Sequence, residues 1–479
     1  MKGLKICLIA FSLILIAPPL KSVPAYPFPE TILQPDGTEI TIILKGDEFH
    51  HYHTSEDGFL LVKDKDGIFN YARKGIGGEI IDTHVKARNA QLRTLEERAF
   101  LKTLEVNPDF SAINLQKRAA KAPAIIKETS EIQSYPKTGS PKSLVILVNF
   151  ADIPFVIPNP KTAFTAKLNE EGYSENGATG SARDYFRDNS FGTFTPQFDV
   201  YGPYTLPENA SFYGENDSDG LDKNPIQMIV DACSLAHSSG VDFSLYDTDN
   251  NGIVDNVFIY FAGHNEAEHA PKNRIWPHRW AIYSNERYGN GNYSGTDASI
   301  TFNGKRVFDY ACTSELRGKE GENMAGIGTF VHEFGHVLGL ADMYPTNGAT
   351  HFTLSNWNIM DGGAYLNLGR TPPAYNSFER FQLGFMTPTL LTGLPQNNIL
   401  DTLTTSNQAF LISPSDYHNL NGDSPSPTEF FLLENRQKAG WDSYLPGHGM
   451  LIYRINYNQS DWDLNSPNNN FEKMGVDIM

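Results

Sequence analysis

Residues 326–344 constrain the fold of this chain more than any other stretch, because they carry His332 and His336 within a largely apolar run. Histidines four positions apart lie one turn apart on the same face of a helix, so both imidazoles can bind one zinc ion. Glu333 can reach a water at the open position of that metal, where a carboxylate acts as a general base. The apolar neighbours predict a helix that is buried in a core.

The residues after His336 make the pattern more specific. Gly339 tolerates the positive φ that ends a helix in a sharp turn, and the turned chain can bring Asp342 to the same metal. The H-E-x-x-H-x-x-G-x-x-D pattern resembles the zinc site of the metzincins, with Asp in place of the usual third His. A core helix with two incidental histidines is the alternative, but Gly339 and Asp342 argue against it. They also argue against Glu379 as a distant third ligand.

A second feature lies downstream at Met360, within a Gly-rich turn at residues 355–363. It resembles the Met-turn of the metzincins, which forms an apolar floor beneath the zinc. The alternative is a surface turn with an incidental Met. Tyr365 could hydrogen-bond the reacting oxyanion, as a Tyr does in some metzincins, although its spacing differs from theirs.

The segments HEFGHVLGLADMY, NWNIMDGG and PPAYNSFERFQLGFMTP resemble the immune-inhibitor-A-like family of secreted bacterial zinc metallopeptidases. The resemblance runs from about residue 143 to the end of the chain and is most specific in the active-site block. It implies peptide-bond hydrolysis with one catalytic zinc, by an enzyme that is made as a precursor. Relatives of this family often continue further, which leaves open whether the C-terminus is complete.

The first 25 residues match a signal peptide, with a basic start, an apolar run and a small-residue cleavage site that ends at Ala25. No later segment is long and apolar enough to form a transmembrane anchor. We therefore expect export to the extracellular space or the periplasm. The net charge of −18 argues against nucleic acid and anionic membranes as partners. Cys233 and Cys312 could pair or could remain buried free thiols.

The region before the apolar strand at residues 143–150 predicts a propeptide or inhibitory domain. It begins as a β-rich unit with hairpin signals at Asp57-Gly58 and Asp66-Gly67, and becomes helical and charged after residue 89. The basic pair at residues 117–118 is a possible activation cut. The region has no cysteine after residue 7, so latency must use a carboxylate, a histidine or steric cover.

Three histidines lie close together in this region, at His50, His51 and His53. They could bind a metal, but clustered histidines on a strand are more often surface residues, which is the interpretation we favour. Farther along, His278 in an aromatic segment is more typical of a structural hydrogen-bonding residue than of a ligand.

Residues 247–255 match most of an EF-hand-type calcium loop, with oxygen ligands at alternate positions and Gly at the sixth. The possible ligands are Asp247, Asp249, Asn251, the Ile253 carbonyl and Asp255. Phe258 stands where the usual Glu would complete the loop. An Asx-rich turn that enters a strand is therefore the alternative. A bound Ca²⁺ would serve stability.

Together these patterns predict an α+β protein with a metzincin-like catalytic domain at residues 141–388. Residues 26–140 are the predicted propeptide with its linker, and residues 389–479 a β-rich C-terminal region. The predicted function is that of a secreted zinc-dependent endopeptidase that uses Glu333 as general base, acts on extracellular proteins and is made as a zymogen. The alternative is a catalytically silent, zinc-containing surface protein that binds peptides or glycans. The sequence specifies neither the substrate nor the oligomeric state.

Overall fold

The computed structural model describes residues 21–121, 135–217, 220–282, 300–393 and 397–479. The first part of the predicted signal peptide, residues 1–20, lies outside these ranges. The described residues form three larger β-sheets, which we call the N-terminal, central and C-terminal sheets. In these ranges, every helix is too short or too polar to cross a membrane.

The N-terminal sheet is a six-stranded antiparallel meander in which each strand pairs with the next. After β1 (Lys21–Ser22), which belongs to the central sheet, its strands are β2 (Glu30–Leu33), β3 (Glu39–Gly46), β4 (His51–Ser55), β5 (Leu60–Lys63), β6 (Phe69–Lys74) and β7 (Ile80–Lys86). Gly58 and Gly67 turn the chain at positive φ, which confirms both predicted hairpins. Helices α1 (Leu95–Leu101) and α2 (Ser111–Lys121) follow, as the charged helical pattern predicts.

The central sheet lies beside the candidate site. In addition to β1, its strands are β8 (Lys142–Asn149), β9 (Gln197–Thr205), β10 (Val257–Phe261), β11 (His278–Ala281) and β14 (Asp309–Ser314), and a separate small hairpin is formed by β12 (Thr301–Phe302) and β13 (Lys305–Arg306). The strands of the central sheet run in the order β1-β11-β14-β10-β8-β9. The surrounding helices are α3 (Pro160–Asn169), α4 (Ala182–Asn189), α5 (Ala210–Gly214), α6 (Pro225–Ser238), α7 (Gly328–Val337) and α8 (Ser377–Gln382). Strands β14, β10, β8 and β9 are parallel, whereas β11 is antiparallel to β14.

Both faces of the central sheet are covered, as the continuous apolar run of β8 predicts. Val145 and Leu147 belong to the hydrophobic cluster that contains α7, whereas Leu144 and Ile146 belong to the cluster that contains α6. Strand alternation therefore sends neighbouring residues to opposite helices. Helix α7 therefore packs on one face of the central sheet, and its side chains are buried in the core.

The C-terminal sheet packs against the same core as α7. Its elements are β15 (Thr389–Leu391), α9 (Leu403–Ser406), β16 (Phe410–Ile412), β17 (Glu429–Arg436), β18 (Gly449–Asn456), α10 (Gln459–Asp463) and β19 (Val476–Ile478). Phe430 and Leu432 of β17 are fully buried in the cluster that also contains Phe378 of α8. This region is therefore continuous with the protein core.

Candidate metal centre

Helix α7 positions its two histidines because its opposite sides have different partners. Phe330 and Phe334 stack with ring centroids 5.8 Å apart, and Phe330 packs on Phe258 of β10 at 4.4 Å. On the other side of the helix, the rings of His332 and His336 lie 4.8 Å apart. The phenylalanines anchor the helix to the sheet, and the histidines are left to face the site.

Met360 packs directly against the helix, where Gly335 has no side chain. A Cβ at Gly335 would lie 2.8 Å from the Sδ of Met360, so only glycine allows this approach. The Ile359 carbonyl is 2.8 Å from Nδ1 of His332, and the N–H of Met343 donates to the Met360 carbonyl at 2.8 Å. The turn at Met360 therefore supports one histidine and also the chain segment that follows the helix.

Three ligand-type atoms converge without hydrogen-bond partners among the described residues. Nε2 of His332 and Nε2 of His336 lie 3.3 and 3.2 Å from Oδ1 of Asp342, and all three atoms are buried. Their Nδ1 atoms face the carbonyls of Ile359 and Leu340 at 2.8 and 2.9 Å, which orients both rings. Buried polar atoms are rarely left unpaired, and two imidazoles with one carboxylate are a zinc-type donor set. The residues present therefore fit a metal ion.

Gly339 brings Asp342 back towards the helix. It has a φ of +104°, and the N–H of Leu340 then closes the helix on the carbonyl of Gly335 at 3.0 Å. A residue with a side chain rarely adopts this backbone conformation. The turn explains how a ligand six residues beyond His336 reaches the same point as the two histidines.

Asp342 is held by a residue from far along the chain. The Asn465 side chain donates to Oδ2 of Asp342 at 2.6 Å, and the N–H of Asp342 donates to Oδ1 of Asn465 at 2.7 Å. This pair of bonds fixes the carboxylate and leaves Oδ1 for a metal. The Asn-rich sequence around Asn465 indicates only a loop, so no local signal marks this contact.

Glu333 is fully buried beside the two histidines. Burial raises the pKa of Glu333 to about 8, with the charge of Asp342 adding to the effect and His332 opposing it. At His332, burial is outweighed by the nearby Asp342 carboxylate, which raises the pKa to about 9. Burial therefore favours a protonated Glu333, and the Asp342 carboxylate favours a protonated His332.

Residues 21–26 lie across this site as an extended segment. Strand β1 pairs antiparallel with β11 and so forms the edge of the central sheet. Immediately after β1, the N–H of Val23 donates to Oε1 of Glu333 at 2.8 Å, and its carbonyl accepts from Nε1 of Trp276 at 2.9 Å. The Val23 side chain is completely buried. The last residues of the predicted signal peptide therefore occupy the cleft next to the candidate base.

Two tyrosines bind carbonyl groups of this segment. The Tyr344 hydroxyl donates to the carbonyl of Ser22 at 2.8 Å, and the Tyr365 hydroxyl donates to the carbonyl of Pro24 at 2.7 Å. Sequence reasoning selected Tyr365 and missed Tyr344. Tyr344 lies within the motif stretch, but no spacing rule distinguishes it from an ordinary core tyrosine.

The acidic loop at residues 247–255 forms a second cluster. Ligand-type atoms of Asp247, Asp249 and Asp255 lie within 4.8 Å of one another. However, Nζ of Lys305 donates to Asp247 at 2.6 Å, and the N–H of Gly252 donates to the same carboxylate at 3.0 Å. No local pattern indicates Lys305, which supplies a positive charge to the loop.

The remaining loop ligands are also engaged in local hydrogen bonds. The side chain of Asn251 accepts from the N–H of Ile253 at 2.8 Å, and Asp255 accepts from the hydroxyl of Thr248 at 2.7 Å. Ile253 forms a backbone bridge with Arg306, whose hydrogen bonds run through Val254 N–H and the Gly252 carbonyl and do not use the Ile253 carbonyl. These contacts are those of an Asx-rich turn that enters β10, the alternative given by the sequence.

Other candidate residues have structural partners. Glu379 caps α8 with Asn376 and accepts from Asn358 at 2.8 Å, away from the histidine cluster. His278 lies 2.7 Å from the carbonyl of Trp276, and burial lowers its pKa to about 4. Cys233 and Cys312 are both buried and both free.

The interpretation of the three N-terminal histidines as surface residues is wrong. Nε2 of His51 lies 3.0 Å from the Glu266 carboxylate, and the His51 ring packs on Trp276 at 4.9 Å. His53 stacks on His269 at 5.8 Å. These rings join the N-terminal sheet to loops of the central region, and tertiary packing buries them where the strand pattern alone indicated exposure.

Comparison with known proteins agrees with this geometry. The family model of the immune inhibitor A peptidase M6 catalytic domain matches residues 132–384. The chain is 28% identical over 274 residues to immune inhibitor A of Bacillus thuringiensis subsp. alesti, which covers 49% of this chain and 38% of that protein. It is 26% identical over 283 residues to the pre-pro-metalloprotease PrtV of Vibrio cholerae serotype O1, which covers 50% of this chain and 29% of that protein. The chain thus spans less than half the length of these relatives, and it belongs to the immune inhibitor A family of M6 peptidases.

Proposed function

We propose that this protein is a secreted zinc-dependent endopeptidase that hydrolyses proteins outside the cell. The observation that carries the proposal is the convergence of His332, His336 and Asp342 on one point, beside Glu333, in a cleft that already holds a peptide segment. A metzincin-like catalytic domain at residues 141–388 is part of the same proposal, as are a propeptide at residues 26–140 and a β-rich region at residues 389–479.

The donor set supports zinc as the metal. Two imidazole nitrogens and one carboxylate oxygen match the three-ligand catalytic zinc sites, which keep one position open. Bound there, a zinc ion would acidify a water and polarise the scissile carbonyl. The backbone contacts of both rings and the Asn465 contact of Asp342 would keep the ligands in place without a metal.

Glu333 is the proposed general base. Its carboxylate accepts a proton from the attacking water and passes it to the leaving amine. Its place next to His332 on helix α7 suits both steps, because a carboxylate beside the proposed ligands can take up and release a proton there. Met360 supports the site from below through its contact with Gly335.

We further propose that the precursor is latent because residues 21–26 fill the cleft. Their pairing covers the edge of β11 that a substrate would use, and Val23 engages the candidate base. This is steric cover with a backbone hydrogen bond, and it needs no cysteine.

Latency of this kind requires the signal peptide to be cut before Lys21, since Lys21 and Ser22 make the pairing with β11. A cut after Ala25 would delete the segment and leave the cleft open. N-terminal sequencing of the secreted chain distinguishes the two cases. A secreted chain that starts at Tyr26 and still lacks activity would contradict the proposed cover.

The proposed activity is tested by casein hydrolysis with the chain cut between residues 117 and 142. We expect activity that a zinc chelator removes and added zinc restores. If the cut chain remains inactive with zinc bound, the activity proposal is wrong and the peptide-binding alternative takes its place.

We keep calcium binding by the loop at residues 247–255 as a separate proposal. Three carboxylates lie within 4.8 Å, although Lys305 already neutralises part of their charge. A rise in the unfolding temperature with millimolar Ca²⁺, lost in Asp249→Asn, would support it. An unchanged unfolding temperature would contradict it.

A further inference from the structure

A single peptide bond in the cleft is held on both sides by side chains of the site. The carbonyl of Ser22 accepts from the Tyr344 hydroxyl at 2.8 Å. On the other side of the same bond, the N–H of Val23 donates to Oε1 of Glu333, also at 2.8 Å. The Ser22–Val23 bond therefore has a hydroxyl donor at its oxygen and a carboxylate at its nitrogen.

This segment is a useful stand-in for a substrate. It is extended and adds to the edge of the central sheet by backbone pairing, which is a common mode of peptide recognition. Since Glu333 is the proposed base, the bond whose nitrogen faces Glu333 marks the place of the reacting bond. The carbonyl of that bond is the one that Tyr344 contacts.

We propose that Tyr344 is a catalytic residue, whose hydroxyl stabilises the negative charge that develops on the carbonyl oxygen of the reacting bond. This inference rests on the proposed peptidase function. It goes further by assigning the oxyanion contact to Tyr344 and a substrate-positioning contact to Tyr365. Pre-placed donors of this kind are usually among the largest contributions to catalysis.

The proton balance leaves Tyr344 unchanged. The water oxygen forms a bond to the carbonyl carbon, its proton moves to Glu333, and the electron pair of the C=O bond moves to the oxygen, where Tyr344 donates a hydrogen bond. The C–N bond then breaks, the nitrogen takes the proton from Glu333, and the C=O bond re-forms in the new carboxyl group. Tyr344 donates throughout and transfers no proton.

The backbone of Met343, the residue between Asp342 and Tyr344, is held on both sides and so fixes Tyr344 in place. The N–H of Met343 donates to the Met360 carbonyl at 2.8 Å, and the Asn468 side chain donates to the Met343 carbonyl at 2.9 Å. Tyr344 itself is only 7% exposed. Its hydroxyl is therefore positioned in advance, as charge stabilisation requires.

Tyr365 contacts a different part of the segment. Its hydroxyl donates to the carbonyl of Pro24, two residues beyond Ser22. A donor at that place binds the ground state and the transition state equally. Loss of such a contact raises KM with little change in kcat.

The test compares Tyr344→Phe with Tyr365→Phe in the chain cut between residues 117 and 142, using a fluorogenic peptide. We expect Tyr344→Phe to lower kcat by about 10²-fold, the usual cost of losing one oxyanion donor, with KM nearly unchanged. Tyr365→Phe should mainly raise KM. Unfolding temperatures of both variants show whether the fold is kept.

A second measurement does not depend on turnover. A phosphinic peptide carries a tetrahedral anionic group where the oxyanion would form, so we expect Tyr344→Phe to weaken its binding at least about tenfold. Tyr365→Phe should weaken it less. If Tyr344→Phe does not fold, 3-fluorotyrosine at position 344 keeps the ring and hydroxyl, and an altered kcat there supports the same role.

The outcomes separate the two proposals. A wild-type chain that is inactive when cut contradicts the proposed function, and the inference with it. An active wild type together with a Tyr344→Phe variant of unchanged kcat and unchanged phosphinic-peptide affinity overturns the role of Tyr344 alone.

Discussion

The candidate metal centre and the acidic loop at residues 247–255 each bring together three side chains of the kind that bind metals. Within the part of the chain that the structure describes, the ligand atoms lack hydrogen-bond partners in the first cluster and have such partners in the second. At the metal centre, the three converging atoms are buried and have no hydrogen-bond partner among the described residues. In the loop, Asp247 binds Lys305 and backbone N–H groups, and Asp249 is exposed. The two clusters have similar ligand types, so the ligand types alone do not distinguish them. Buried ligand atoms that have no hydrogen-bond partner are the better indication of a metal site.

Removal of the proposed base at the candidate metal centre should have the largest effect. Glu333→Gln keeps the size of the side chain but cannot accept a proton, so we expect kcat to fall by about 10²–10⁴-fold. The zinc content, measured by atomic absorption, should stay the same because Glu333 is not a ligand.

Glu379→Gln is the matched control for this variant. Glu379 is also buried, and burial raises its pKa to about 7, but it caps a helix and binds Asn358. We expect its activity to stay near that of the wild type. Equal losses in the two variants would show that Glu333 acts only through the fold.

Asn465→Leu should weaken the metal centre from outside the ligand set. Without the amide, Asp342 loses the partner that orients it, and such contacts are typically worth about 10–100-fold in metal affinity. Competition with a chelator measures the change. Asn468→Leu is the control, because Asn468 binds the Met343 carbonyl and no ligand; similar affinities for the two variants would contradict the role of Asn465.

Lys305→Met tests the acidic loop and should have the smallest effect. It leaves the buried Asp247 carboxylate without its cation, so we expect a loss of about 1–3 kcal/mol in the free energy of unfolding, with activity unchanged. Lys319→Met is the control, since it removes a partly exposed pair with Glu30 and should cost less than about 1 kcal/mol. If Lys305→Met lost zinc, the acidic loop would not be independent of the candidate metal centre, and the distinction between the two clusters would be wrong.

Short-range spacing carried most of what could be predicted about the site. His332, His336 and Gly339 lie on one helix and its C-terminal turn, so helical periodicity and the need for positive φ lead to their arrangement and to the approach of Asp342. The same local rules found the hairpins of the N-terminal sheet at Gly58 and Gly67. Helices and tight turns can be predicted from the sequence because their geometry depends only on residues that are close together in the chain.

The contacts that sequence reasoning missed all join distant parts of the chain. Asn465 meets Asp342 across 123 positions, and Lys305 meets Asp247 across 58. The segment at residues 21–26 matched a cleavage site well, yet its place in the cleft depends on β11, a strand more than 250 positions away. No periodicity encodes such pairings, because they depend on the packing of whole sheets.

The hydrogen bonds between Asn465 and Asp342 also make the orientation of a candidate ligand depend on a residue that is synthesised much later. The chain is synthesised from its N-terminus, so His332, His336 and Asp342 are made well before Asn465. Until the segment around Asn465 has folded back, Asp342 lacks the partner that orients it. The candidate ligand set therefore reaches its full hydrogen bonding only when this late segment has packed against the core.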